Sequence, residues 1–209
     1  MRAAWGLTDG DGLAIGVVAR LSAEKRHDRI LDVAATLMRM EPGLAWRLLV
    51  FGDGSLRRSL AGRVAALGLD GRVQLRGFRA GVGDEMAGFD LLLSLSDAEG
   101  LPINLIEAGW AATPVVSTAV GGVMDLLGEP PAGILVGRDV LPEAIAVALR
   151  EILADEPRRA SLGAALQRRV ESGFSRGAWL RRLGEIYEPL LRSARVEGYG
   201  VPVHEPAGS

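Results

Sequence analysis

Phe89-Asp-Leu-Leu-Leu-Ser-Leu95, then Ser96-Asp-Ala-Glu99-Gly-Leu-Pro102, then Ile103-Asn-Leu-Ile-Glu107-Ala108 is the stretch on which the fold turns. Its first part, 89–95, is a short and nearly continuous apolar run, the pattern of a strand covered on both faces. Pro102 suits the first position of a helix, where a missing N–H costs nothing, so 102–112 reads as that helix. Strand, polar loop and helix in this order make one unit of a parallel sheet.

The same alternation runs outward in both directions. Strands are expected at 13–19, 46–51, 73–75, 114–117 and 133–136, and helices at 27–40, 55–67 and 142–153, with shorter pieces near 83–88 and 123–127. The pattern predicts an α/β fold, a doubly wound, Rossmann-like parallel sheet with right-handed crossovers. Ligands of such sheets bind beyond the carboxyl ends of the strands, at the switch point. After 153 the pattern is all helical, at 156–172 and 175–192, with Ser175 placed to cap the second helix. The expected organisation is a lead-in at 1–12, a ligand-binding domain at 13–154, helices packing on it at 155–195 and a loose tail at 196–209.

Composition removes several classes of function. A net charge of −2 offers no general attraction to nucleic acid. Zero cysteines exclude disulfides and thiolate zinc sites, and two histidines make a histidine-rich metal centre a poor expectation. No apolar run is long enough to span a bilayer, and nothing directs the chain out of the cytoplasm, the inner membrane face included. Of the 24 basic residues every one but Lys25 is arginine, which suggests a need for a compact ammonium there.

Polar constellations follow the strands. Behind the first come Arg20, Ser22, Glu24, Lys25, Arg26 and His27. If Ser22 caps the next helix, Lys25 and Arg26 lie in its first turn, which costs about a few tenths of a kcal/mol or more. An anion seated there would reverse that cost; equally, Glu24 and Asp28 would neutralise the cluster on a solvated surface. Behind the second strand, Gly52-Asp53-Gly54 fits a tight turn but completes neither a dinucleotide fingerprint nor a P-loop. In the stretch quoted first, Ile103 and Asn104 would offer free N–H groups. Glu107 would sit in an otherwise apolar helix, where a carboxylate needs ligand hydroxyls or a salt bridge to Arg20 or Lys25. Gly121-Gly122 permits close approach to a ligand, or simply a turn. A helical apolar stripe at 175–195 fits an interfacial membrane helix, although packing on a core is favoured.

In order and spacing, Arg20-Leu21-x-x-Glu24-Lys25, Gly52-x-Gly54, Gly77-Phe78, Glu99-Gly-Leu-Pro, Glu107-Ala108, Pro114-Val-Val-Ser-Thr and Gly121-Gly122 resemble the C-terminal domain of glycosyltransferase family 4, one half of a GT-B fold. The resemblance implies that Arg20 and Lys25 grip a donor diphosphate and stabilise the leaving nucleotide. It implies that Glu99 reads the donor sugar, that backbone from Gly100 through Leu101 and Pro102 to Ile103 supports sugar and phosphate, and that Glu107 holds the ribose. The base would lie near Phe78 and the turn at Gly54 would border the site. Retaining transfer to a glycan, lipid or small-molecule acceptor would need no metal or other cofactor. Many members have glycine where this chain has Ala19 and Arg26, and a different run after Glu107-Ala108. The family also carries an N-terminal acceptor domain, so the resemblance implies a second half on a longer polypeptide, a partner chain that supplies it, or a non-catalytic nucleotide-sugar-binding module. A different GT-B-like enzyme, such as an epimerase, is a further reading. A dinucleotide-dependent oxidoreductase is disfavoured by the incomplete glycine fingerprint.

Overall fold

All six expected strands join one parallel sheet in the computed structural model, which describes residues 2–8 and 12–196. They are β1 (Leu13–Val18), β2 (Trp46–Phe51), β3 (Val73–Gly77), β4 (Leu91–Ser94), β5 (Val115–Thr118) and β6 (Ile134–Val136). The order is β3-β2-β1-β4-β5-β6, so the chain winds outward from β1 and then returns to its other side at β4. That reversal puts the switch point between β1 and β4. Both central strands are buried on both faces, whereas the edge strands β3 and β6 are mostly half-buried.

The helices are α1 (His27–Met40), α2 (Arg57–Ala66), α3 (Val82–Glu85), α4 (Ile103–Trp110), α5 (Gly122–Leu127), α6 (Pro142–Ala154), α7 (Glu156–Gly173) and α8 (Arg176–Val196). Shifts from the expected boundaries have local causes. Phe89 stays outside β4 because its N–H closes a 3-10 turn on the Met86 carbonyl at 2.9 Å. Ser55 and Leu56 stay outside α2 because the Leu56 N–H reaches the Leu21 carbonyl at 3.2 Å. Helix α4 ends early because Ala112 turns left-handed, with φ 53°.

On one sheet face, Ile15, Val17, Leu48 and Leu93 form a core with Ile30 of α1 and Leu149 of α6. On the other, Gly16 leaves room for Phe89, whose ring a Cβ would strike. Phe89 stacks on Trp5 with centroids 4.8 Å apart, and Trp5 meets Phe51 edge-on at 6.0 Å. Trp5 is 1% exposed and its Nε1 donates to Glu85 at 2.7 Å. The segment expected as a lead-in therefore contributes to the sheet's packing.

The chain divides into two compact units, Met1–Glu171 and Ser172–Ser209. Within the first, α7 approaches α4 through glycine: a Cβ at Gly163 would strike the Ala112 carbonyl, and one at Gly109 would lie 2.6 Å from Val170 Cγ1. In the second, Ser175 caps α8, its Oγ accepting the Ala178 N–H at 3.2 Å. The tail expected at 196–209 lies, from 197 onward, outside the described residues.

Candidate functional site

The loops after β1 to β5 converge at one end of the sheet, and glycines set how closely they approach. A Cβ at Gly52, where φ is 141°, would strike the Ala19 carbonyl, and one at Gly54 would stand 2.5 Å from the Leu21 carbonyl. The Leu21 N–H donates to the Asp53 carbonyl at 3.0 Å. The turn after β2 thus buttresses the loop that carries Arg20. Gly121 and Gly122 play the same part under the other loop, where Cβ atoms would strike the carbonyls of Glu99 and Gly100. Their close approach is to chain, not to open cleft.

Several local expectations need correction. Ser22 does not cap α1: it precedes a 3-10 turn at Ala23–Lys25, and its Oγ bonds Glu24 Oε1 at 2.7 Å. Lys25 lies in that turn and not in the helix, which begins at His27 after a left-handed Arg26 with φ 48°. Pro102 is the N-cap of α4, not its first residue. The Ile103 N–H is taken by the Leu101 carbonyl at 2.9 Å, which leaves the Asn104 N–H of the two expected donors.

Lys25 Nζ meets Glu99 Oε1 at 2.6 Å, with the two side chains only 17% and 10% exposed. Beside this pair, the Asp97 N–H donates to the Glu24 carbonyl at 2.8 Å and Arg26 Nη1 to Asp97 Oδ1 at 3.1 Å. Asn104 Nδ2 donates to the Val18 carbonyl at 2.9 Å, tying the start of α4 to the end of β1. Arg20, in contrast, points outward with its side chain 80% exposed and pairs with Glu24 at 3.3 Å. Its carbonyl bonds the buried His27 ring at 2.9 Å. Burial pushes His27 below the usual imidazole value.

Glu107 is the outlier. It pairs with neither Arg20 nor Lys25; instead it faces α3, where a Cβ at Gly83 would stand 3.3 Å from Oε1. Desolvation, and then the charge of Asp84, raise its pKa above the ordinary carboxylate value. Phe78, 78% exposed, borders a cavity of about 340 Å³ with Arg20, Phe51 and Val82. Leu101 and Ile103 are exposed along the loop and the start of α4, while Pro102 is buried. Among the described residues no group of three His, Asp or Glu is placed to hold a metal, and no helix is long and apolar enough to cross a membrane.

Sequence reasoning passed over the cross-loop roles of Arg26, Asp97, Asn104 and His27. The signal for Arg26 was its place where the resembled family often has glycine, which fits the left-handed φ. Asp97, His27 and the amide of Asn104 gave none, since hydrogen bonds to distant carbonyls leave no local pattern.

A sheet of this order, with its polar loops gathered at the switch point, is the Rossmann-like architecture of GT-B glycosyltransferases. Within that class the chain belongs to the family described as glycosyl transferases group 1, whose profile matches residues 6–169. It is 31% identical over 196 residues to the D-inositol 3-phosphate glycosyltransferase of Kineococcus radiotolerans, covering 86% of this chain and 45% of the relative. It is 32% identical over 155 residues to the 2-deoxystreptamine glucosyltransferase of Streptomyces kanamyceticus, covering 72% and 39%. The chain thus spans less than half the length of these relatives. Among solved structures, Anabaena HepE in complex with UDP matches with a TM-score of 0.80 at 23% identity, over 90% of this chain and 51% of that one. The C-terminal domain of Francisella tularensis LpcC matches with a TM-score of 0.69 at 20% identity, over 78% and 87%.

Proposed function

We propose that the chain is the donor half of a retaining glycosyltransferase of family 4 type, its C-terminal domain. It binds a nucleoside diphosphate sugar between the loops after β1 and β4. The observation that carries this reading is the largely buried Lys25–Glu99 pair at the switch point. An ammonium and a carboxylate held there present one group to a diphosphate and one to sugar hydroxyls.

Arg20, exposed and paired at its guanidinium with the exposed Glu24, swings onto the same diphosphate. As the sugar–phosphate bond breaks, charge grows on the leaving nucleotide, and Lys25 and Arg20 stabilise it. Glu99 orients the sugar, with backbone from Gly100 to Ile103 beside it. The carboxylate of Glu107, which pairs with no cation among the described residues, accepts both ribose hydroxyls. The base lies against Phe78 and the apolar cavity, bordered by the turn at Gly54. No metal takes part. The acceptor, a glycan, a lipid or a small molecule, is held by a second Rossmann-like half, on the same polypeptide or on a partner chain. The reaction takes place on the cytoplasmic side, in solution or at the inner membrane face.

Uridine nucleotides are the first to try, because HepE is described with UDP and with UDP-glucose. Calorimetry of the chain with UDP, GDP and ADP, beside Lys25→Ala, tests the assignment. Removing a charged donor to phosphate should weaken the preferred nucleotide roughly ten- to a hundredfold. An unaltered affinity in folded Lys25→Ala would remove the diphosphate from this site.

A further inference from the structure

We infer that Arg26 is a positioning residue that latches the loop carrying Lys25 to the loop carrying Glu99, acting through Asp97. The inference rests on the donor reading above. Arg26 takes φ 48° and ψ 43°, a left-handed conformation that is unfavourable for a residue with a Cβ and suits glycine. Its guanidinium shows what offsets that strain. Nε and Nη2 reach Asp28 at 3.2 and 3.3 Å, which orients the fork, and Nη1 reaches Asp97 Oδ1 at 3.1 Å. Asp97 also lies 3.7 Å from Arg138 Nε, so the loop after β6 joins the cluster.

Arg26 and Asp97 line a groove with Ala23, Leu60 and Arg63 that includes none of the residues assigned to the donor. This places the Arg26 guanidinium on the groove side of the loop, apart from the residues assigned to the donor. The need for it comes from the neighbouring pair. A diphosphate at Lys25 Nζ competes with Glu99 for that ammonium, while sugar hydroxyls compete for the Glu99 oxygens. The Lys25–Glu99 contact is weakened at the moment the two loops must stay in register. No donor group competes for Arg26–Asp97, which Asp28 and Arg138 flank, and it keeps the Asp97 N–H on the Glu24 carbonyl.

The test uses the chain with UDP and UDP-glucose, comparing Arg26→Gly, Arg26→Lys, Asp97→Asn and the double variant, each with a thermal melt. Arg26→Gly keeps the backbone conformation without strain, so it should fold. Both single losses should weaken UDP-glucose about two- to fivefold, as for a half-buried ion pair, and the double variant should be no weaker than either. Arg26→Lys should recover part of the affinity. Unchanged affinity in the singles, or losses that add in the double, would overturn the latch. Amide exchange at Asp97, expected to quicken in Arg26→Gly, reads the latch without any nucleotide. If the parent chain binds neither UDP nor UDP-glucose, the donor reading fails. The exchange then decides the latch: faster exchange supports it and unchanged exchange overturns it.

Discussion

Lys25 and Glu99 stand 74 positions apart in the chain and 2.6 Å apart in space, on the two loops that flank the switch point. Each is the other's counter-ion, and each is the group that a donor would approach. In a chain otherwise built with arginine, the lysine fits this confined position as a compact ammonium. Lys25→Arg should therefore fail to restore nucleotide binding, leaving affinity about tenfold or more below the parent, close to that of Lys25→Ala. Calorimetry of both variants checks this, and an arginine variant with parental affinity would show that charge alone is required.

The two glutamates should separate by ligand. Glu107→Gln should weaken UDP and UDP-glucose alike, by roughly 1.5–3 kcal/mol, because ribose is common to both. Glu99→Gln should leave UDP nearly unchanged and weaken UDP-glucose. Equal losses for both variants on both ligands, in protein with intact melts, would reverse or merge the assignments.

Glu107 should also make binding pH-dependent. Its carboxyl is raised above 4.5 by desolvation and by Asp84, whereas ribose hydroxyls favour the ionised form. UDP affinity should fall as pH drops through the raised value, and binding in that window should release a proton. Asp84→Asn removes one of the two causes, so the fall should move to lower pH. Affinity measured across the acid range for parent and variant supplies the comparison.

His27 should contribute an acid-sensitive part of the stability. Its folded pKa lies below the ordinary 6.5 because burial opposes the charged ring. The contribution is present above that ordinary value and is lost as pH falls from it through the depressed folded value, since the unfolded chain binds the proton more readily. Denaturant melts between about pH 7.5 and 5 should show this decline, flattened in His27→Gln. Parallel curves would mean that the ring is not held neutral.

Trp5 tests the N-terminal segment. A fully buried indole stacked on Phe89 and bonded to Glu85 should cost about 3–5 kcal/mol on truncation to alanine. A change below about 1 kcal/mol in a denaturant melt would place the segment outside the cooperative unit.

The fold was readable because parallel strands buried on both faces must be apolar runs, and Ser175 marks a helix start through local chemistry. Glu107 stood out in the sequence as a carboxylate in an otherwise apolar helix, and the structure finds it desolvated, with its pKa raised. The site was unreadable where partners are distant in sequence. That Glu24 offers its carbonyl to Asp97, and Arg20 its carbonyl to His27, follows from loop shape, which carries no composition signal. Ser22 misled because a serine before a charged run looks like a cap until Arg26 turns left-handed and starts the helix later. The glycines after β2 and β5 were seen, but sequence does not say whether backbone or ligand fills the space they leave.

The sheet order has a kinetic consequence. β1 and β4 close on each other through Ala14 and Asp90, which lie 76 residues apart in the chain. At ordinary synthesis rates about 4–15 s separate the emergence of these two strands from the ribosome. During that interval β1, with β2 and β3 already available on one side, is an apolar edge with its other row of amides unsatisfied, the kind of surface on which chains aggregate. The Lys25–Glu99 pair cannot form before that seam closes. The nascent chain is thus most vulnerable before β1 and β4 meet, and a nucleotide bound between their loops, as proposed, would stabilise it only after that pairing.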